Sequence, residues 1–185
     1  MKDPAQQRSE VLEQLEDAVV LLERSMDARI IPAQGANIAY AIAGARDNNG
    51  VAAVPGGIVR TGAGVRASGS CAFGADETIS RIVLTAMKFD PVMRSVAILR
   101  YSPRVIPVLA DMFLECCSFD PGAEPPCIST MDWGVASCCR DGVPDVIFDH
   151  GTPDSEPRIR LFGEDSLDIS NNIIMLSNRI IHIEL

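Results

Sequence analysis

Few side chains in this sequence can do chemistry near neutral pH, and their spacing narrows the options. The two histidines are His150 and His182. His150 follows Asp149 at the end of an apolar run, Val146–Asp149, and strand ends are where α/β proteins gather ligand sites. The same position is also ordinary for a surface-loop histidine. His182 alternates with Ile181 and Ile183 and reads as structural. Six cysteines, at 71, 116, 117, 127, 138 and 139, contain no Cys-x-x-Cys. Their two adjacent pairs are poor metal-ligand spacing, so small buried hydrophobes are expected and no metal site is. From Gly56 to Gly74 six of nineteen residues are glycine, which suits tight turns or a backbone brought close to a ligand. No Walker loop or dinucleotide fingerprint lies there. Arg60 and Arg66 sit in that run, either near a phosphate or as solvated strand-face charges. Trp133, the single tryptophan, is expected in the core.

The elements that must position these residues alternate in type. Val11, Leu12, Leu15, Val19, Leu22 and Met26 recur at helical steps, with acidic residues on the other face, and predict a packing helix over about 5–26. Asn37–Ala43, Val51–Val54 and Ile58–Arg60 have strand character. Asp76 is a natural N-cap for a helix to about Lys88, whose stripe is Ile79, Ile82, Val83, Ala86 and Met87. Asp90-Pro91 ends it. A strand at Val96–Arg100 leads to Ser102-Pro103, read as an N-cap and first-turn proline opening a helix to about Asp111. Strands at Cys116–Phe119, Val146–Asp149 and Arg158–Phe162, and helices at Asp132–Arg140 and Asp165–Asn178, complete an α/β chain.

With 185 residues, 47% apolar and 22% charged, one domain with a substantial core is the simplest reading. No run reaches the roughly 18 apolar residues of a membrane span, and Met1–Ser9 is too polar for a signal peptide, so a cytoplasmic location without membrane contact is expected. A net charge of −9 and scattered arginines argue against nucleic acid as a direct partner. A two-fold homodimer is the expected assembly, as the commonest one for soluble proteins.

The order and spacing of several short motifs carry a family resemblance from about Arg29 to Leu176. They include Ile31-Pro32, Gly35–Ala41, Gly44–Asp47, Phe73-Gly74-Ala75, Met87–Pro91, Arg94-Ser95, Arg100-Tyr101, Ser129–Gly134, Pro144–Ile147, Glu156-Pro157 and Ile159-Arg160. Together they resemble the ThiN-type thiamine-phosphate synthase domain of archaea and some bacteria. The resemblance implies a three-layer α/β/α domain with a mixed sheet, related to the aldolase-like fold of fuculose-phosphate aldolases. It also implies a reaction: hydroxymethylpyrimidine pyrophosphate loses pyrophosphate as its methylene carbon bonds to hydroxyethylthiazole phosphate, giving thiamine phosphate. Cationic groups must meet the departing oxygens, a role suited to an arginine fork and a nearby histidine.

Here the chain departs from the pattern. Gly57 stands where the family has its arginine and Thr78 where it has its histidine. Ile98 replaces a frequent asparagine, and Asp154-Ser155 replaces a Gly-Lys. The ligand-binding positions carried over are Asn37, Gly56, Gly57, Phe73, Gly74, Ala75, Lys88, Asp90, Arg100 and Asp149. Mg²⁺ is a candidate companion of a pyrophosphate ligand, and no other cofactor is implied. Three readings follow. The first is a catalytically degenerate domain that binds thiamine phosphate or a phosphorylated precursor, as in the sensor half of archaeal thiamine-responsive regulators. Only one helix precedes the domain here, so a stand-alone sensor or carrier, or a piece of a longer protein, is expected. The second is a working synthase with rearranged groups, and the third an interaction module with an empty pocket. Restoring both side chains, Gly57→Arg with Thr78→His, is expected to raise synthase activity.

Overall fold

In the computed structural model, which describes residues 3–62, 64–126 and 130–185, helix α1 (Pro4–Ser25) starts where local chemistry permits. The Asp3 carboxylate accepts from the Ala5 amide, and Pro4 occupies the first turn, where a missing N–H leaves nothing unsatisfied. Its buried face is Val11, Leu15, Ala18, Val19 and Leu22.

The strands are β1 (Asn37–Ala41), β2 (Val51–Ala53), β3 (Ile58–Thr61), β4 (Gly64–Ala67), β5 (Ala72–Phe73), β6 (Ser95–Arg100), β7 (Cys116–Phe119), β8 (Val146–Asp149) and β9 (Arg158–Gly163). The remaining helices are α2 (Glu77–Phe89), α3 (Val105–Asp111), α4 (Trp133–Cys138) and α5 (Ser166–Arg179). Seven strands form one sheet in the order β5-β2-β1-β6-β9-β8-β7, and β3 and β4 form a separate hairpin. Within the large sheet only β7 and β8 run parallel; the other neighbouring pairs are antiparallel.

Alternation along the strands sorts side chains onto two faces. Ile38, Tyr40, Ala97, Leu99, Ile159 and Leu161 join α1, α3 and α5 in one buried cluster. Their neighbours Ala39, Ala41, Val96, Ile98 and Phe162 join α2 and α4 in the other. The result is a three-layer α/β/α domain with a mixed sheet. Ile79, Ile82, Val83 and Met87 of α2 are buried as their spacing predicted, and Asp76 caps that helix through the Thr78 and Ile79 amides.

Four expectations change. The first strand ends at Ala41, because Ile42 already bonds to Gly50 across a turn. Ser102 does not cap a helix at Pro103: a turn intervenes, with the Val105 amide bonded to the Ser102 carbonyl, and α3 starts at Val105. Two cysteines are not free thiols, since Cys117 of β7 and Cys138 of α4 form a disulfide. Among the other described cysteines only Cys139 is fully buried, and Cys127 lies outside the described residues. Trp133 is half-buried rather than core, set edge-on to Phe119 at 6.2 Å between ring centroids. No described helix is long and apolar enough to cross a membrane.

Candidate functional site

A cleft of about 320 Å³ opens where the Gly56–Gly57 turn, the start of β1 and the start of α2 meet. Gln34, Gly35, Asn37, Gly56, Gly57, Asp76, Thr78, Ile98 and Arg158 line it. Asn37 is buried, and its hydrogen-bonding capacity is fully engaged. Its Nδ2 donates to the Val54 carbonyl (3.0 Å) and to Asp76 Oδ2 (2.8 Å), while Oδ1 accepts from the Ile38 and Val54 amides. Asn37 therefore fixes the Asp76 carboxylate in the cleft wall. Asp76 Oδ1 in turn holds the first turn of α2 through Thr78 and Ile79, which leaves the exposed Thr78 side chain at the mouth.

The Gly57 position is set by its backbone. Gly56 and Gly57 both have φ +75°, a region that side-chain-bearing residues avoid. A Cβ on Gly57 would also lie 2.5 Å from the Ala36 carbonyl oxygen. That oxygen accepts the Ile58 amide at 2.7 Å, so it cannot swing away without breaking the bridge between the two segments. Gly57→Arg is thus not a simple restoration: an arginine at 57 requires a different turn.

A second cavity, of about 260 Å³, adjoins the first through Arg158. Its walls include Phe119, Trp133, Asp149, Arg158 and Arg160. Asp149 is buried, accepting from the Gly151 amide and from Arg160 Nη1, both at 2.7 Å. Arg160 Nε is buried with no hydrogen-bond partner, and the guanidinium lies 5.0 Å from the centre of the Phe119 ring.

The other carried-over positions lie elsewhere. Phe73 is covered by Arg8 of α1, whose guanidinium sits 3.7 Å from the ring centre. Gly74 turns at φ +74° and accepts from Asn48 Nδ2, and Ala75 packs against the α2 side of the sheet. Lys88, exposed on the last turn of α2, lines a surface basin with Arg46, Glu77 and Arg81. Asp90 caps the turn after α2 by accepting from the Val92 amide. Arg100 reaches the Arg29 carbonyl at 3.3 Å. The structure thus brings Asn37, Gly56 and Gly57 together with Thr78, places Asp149 in the neighbouring cavity, and sets the rest outside both.

His150 is exposed and stands edge-on to Tyr101 and Phe148 at 5.1 and 5.7 Å; His182 lies in an exposed turn after α5, not in a strand. Arg60 donates to the Ile31 carbonyl, while Arg94 donates to the Ala41 carbonyl and the Tyr40 hydroxyl. No described cluster of three or more His, Cys, Asp or Glu is arranged to hold a metal. Any Mg²⁺ would have to be carried largely by a ligand's own phosphate oxygens. Sequence reasoning missed Arg158, which lines both cavities. Its only sequence signal was position, at the head of a strand.

Comparison with known proteins agrees with this architecture. Residues 14–175 match the family model described as "Thiamine-phosphate synthase ThiN". The chain is 37% identical over 169 residues to the bifunctional thiamine biosynthesis protein ThiDN of Methanocaldococcus jannaschii, covering 90% of this chain and 40% of that protein. It is 27% identical to the thiamine-phosphate synthase ThiN of Methanothermobacter thermautotrophicus, covering 89% of this chain and 91% of the relative. The crystal structure of the C-terminal domain of a phosphomethylpyrimidine kinase superposes with a TM-score of 0.83 at 31% identity, over 91% of this chain and 99% of that one. A putative aldolase/epimerase/decarboxylase from Escherichia coli shares the fold alone, at TM-score 0.50 and 13% identity over 96% of this chain and 90% of that one. A seven-stranded mixed sheet between two helical layers, a glycine turn facing the start of α2 and a match over most of the chain lead to one assignment: this protein belongs to the ThiN family of thiamine biosynthesis.

Proposed function

We propose that this domain binds thiamine phosphate, or a phosphorylated precursor of it, in the cleft between the Gly56–Gly57 turn and α2, and acts as a sensor or carrier without appreciable synthase turnover. The observation that carries the proposal is that positions 57 and 78 both line the cleft and neither offers a cation or a proton donor that titrates near neutral pH. The backbone at Gly57 leaves no room for a side chain, so the arginine's absence is built into the turn. Losing one preorganised transition-state donor costs about 100- to 1000-fold in rate. Losing both an arginine fork and a proton donor leaves little of the chemistry, although such losses do not simply multiply.

A second reading, a working synthase with rearranged groups, has two observations in its favour. Arg158 brings a cation into the same cleft from β9, and one relative is described as a thiamine-phosphate synthase and the other as a bifunctional thiamine biosynthesis protein. One assay separates the readings. Purified protein is mixed with hydroxymethylpyrimidine pyrophosphate, hydroxyethylthiazole phosphate and Mg²⁺, and thiamine phosphate is followed by chromatography. The proposal expects product well below enzyme-like rates and saturable calorimetric binding of thiamine phosphate. Turnover near one per second or faster would establish the synthase reading. Binding by none of the three compounds at millimolar concentration would leave only an interaction module.

A further inference from the structure

Of the six arginines that line a described cavity, three are engaged through their side chains, and Arg46, Arg81 and Arg158 are not. Arg60 bonds to the Ile31 carbonyl, Arg94 to Ala41 and Tyr40, and Arg160 to Asp149. Arg158 and Arg81 differ. The side chain of neither has a hydrogen bond or ion pair with any other described residue, and each lines two cavities at once. Arg158 stands between the first cleft and the second cavity. Arg81 stands between the second cavity and the basin beside α2.

The second cavity has carboxylates with which these arginines do not pair. Asp149 is taken by Arg160. Asp132 caps α4 through the Val135 amide, Glu156 accepts from the Ala33 amide, and Glu124 is exposed. Carboxylates that accept from neutral amides keep their charge, so these two flexible cations share the cavity with acids but form no ion pair with any of them. Planar arginine forks suit phosphate oxygens bidentately.

Size points the same way. The cleft and the second cavity, about 320 and 260 Å³, individually sit at or below the lower end of the range for a small-molecule site, but together fall well inside it. Charge gives the pair a direction. One end presents the Asp76 carboxylate held by Asn37, an acceptor for an amino group or a cationic ring. Arg158 stands at the junction, and Arg81 lies in the second cavity beyond it.

We propose that Arg158 and Arg81 form an anion clamp in the second cavity that holds the phosphate or pyrophosphate of a heterocyclic ligand whose ring end lies toward Asp76. This clamp rests on the phosphorylated-ligand reading above and deepens it. It places the cations on β9 and α2 instead of on the glycine turn.

Calorimetry with inorganic pyrophosphate at low ionic strength tests the clamp directly. Wild type is compared with Arg81→Ala, Arg158→Ala, Arg158→Gln, which keeps much of the side-chain stem, and Arg66→Ala. Arg66 is an exposed residue of β4 that lines none of these cavities, so its variant matches the charge change. Pyrophosphate should bind wild type and Arg66→Ala alike, and about tenfold or more weakly to each of the others, as expected for losing a charge-assisted contact. Thiamine phosphate should weaken in parallel, and thiamine should not. Wild type that fails to bind pyrophosphate, or clamp variants that bind it as well as wild type, would overturn the clamp. Clamp-dependent pyrophosphate binding without any binding of thiamine phosphate would keep the clamp and remove the thiamine reading. Thiamine phosphate binding that is indifferent to the clamp variants would do the reverse.

Discussion

At the scale of single residues, Gly57 and Asn37 show how much of a site is backbone geometry. Both glycines of the turn adopt φ +75°, and at Gly57 a Cβ would also meet the Ala36 carbonyl. Gly57→Ala should therefore destabilise the protein by about 1–2 kcal/mol from left-handed strain alone, with more from the contact. The check is a denaturant midpoint, and an unchanged midpoint would show that the turn relaxes freely. Asn37 is immobilised by four hydrogen bonds, so its role is to hold Asp76 rather than to reach for a ligand. The free thiols give a second prediction. Burial pushes Cys71 up to about 11, with Glu16 adding to it, and burial alone does the same for Cys139. In the folded state these groups keep protons that the unfolded chain releases above about pH 9. The stability they contribute is complete below that pH and is lost as pH rises toward 11. Both cysteines should react slowly with a disulfide reagent at pH 8 while folded and quickly once unfolded; equal rates would contradict the burial.

At the scale of elements, α1 and the β7–α4 pair hold opposite ends of the domain. The buried face of α1 lies against the sheet together with α5, and Glu23 accepts from the Ala67 amide of β4, so the helix also steadies the glycine-rich hairpin. Leu15 and Leu22 are almost completely buried, at 0% and 1% exposure. Leu15→Ala should cost about 2–5 kcal/mol, read as a lowered thermal or denaturant midpoint. A loss under 1 kcal/mol would mean α1 is only loosely docked. At the far end, the Cys117–Cys138 disulfide ties α4 to the edge strand β7. Gly134 lies so close to the Phe119 ring that any side chain there would overlap it. Phe119, Trp133 and Gly134 all line the second cavity, so the packing of α4 on β7 shapes that wall.

At the scale of the whole molecule, one continuous sheet joins the two helical layers, and strands β1, β6 and β9 contribute alternate residues to both clusters. Neither cluster can be disrupted without disturbing the sheet they share, which favours a single cooperative unfolding transition. Trp133 supplies a probe on the α4 side, across the sheet from α1. Leu15→Ala should shift the Trp133 fluorescence midpoint as far as the circular-dichroism midpoint. Separate midpoints would show that the two layers unfold independently.

The sequence by itself determined most of the elements, because those follow from interactions a few residues long, while the layering was implied by the family resemblance. The helical stripe of α2, its Asp76 cap and Pro4 in the first turn of α1 are all local. The motif spacing also pointed to the family, and within the candidate site it brought out Asn37, the glycine turn and Thr78. Tertiary structure decided the rest, where partners are far apart along the chain. Arg8 covers Phe73, Asn37 binds Asp76, and Cys117 bonds to Cys138 rather than remaining a thiol. Spacing said nothing about which arginines would find internal partners. Arg94, Arg60 and Arg160 find theirs across strands and loops, while Arg81 and Arg158 do not, and that difference arises only when cavity walls assemble from separate segments of the chain.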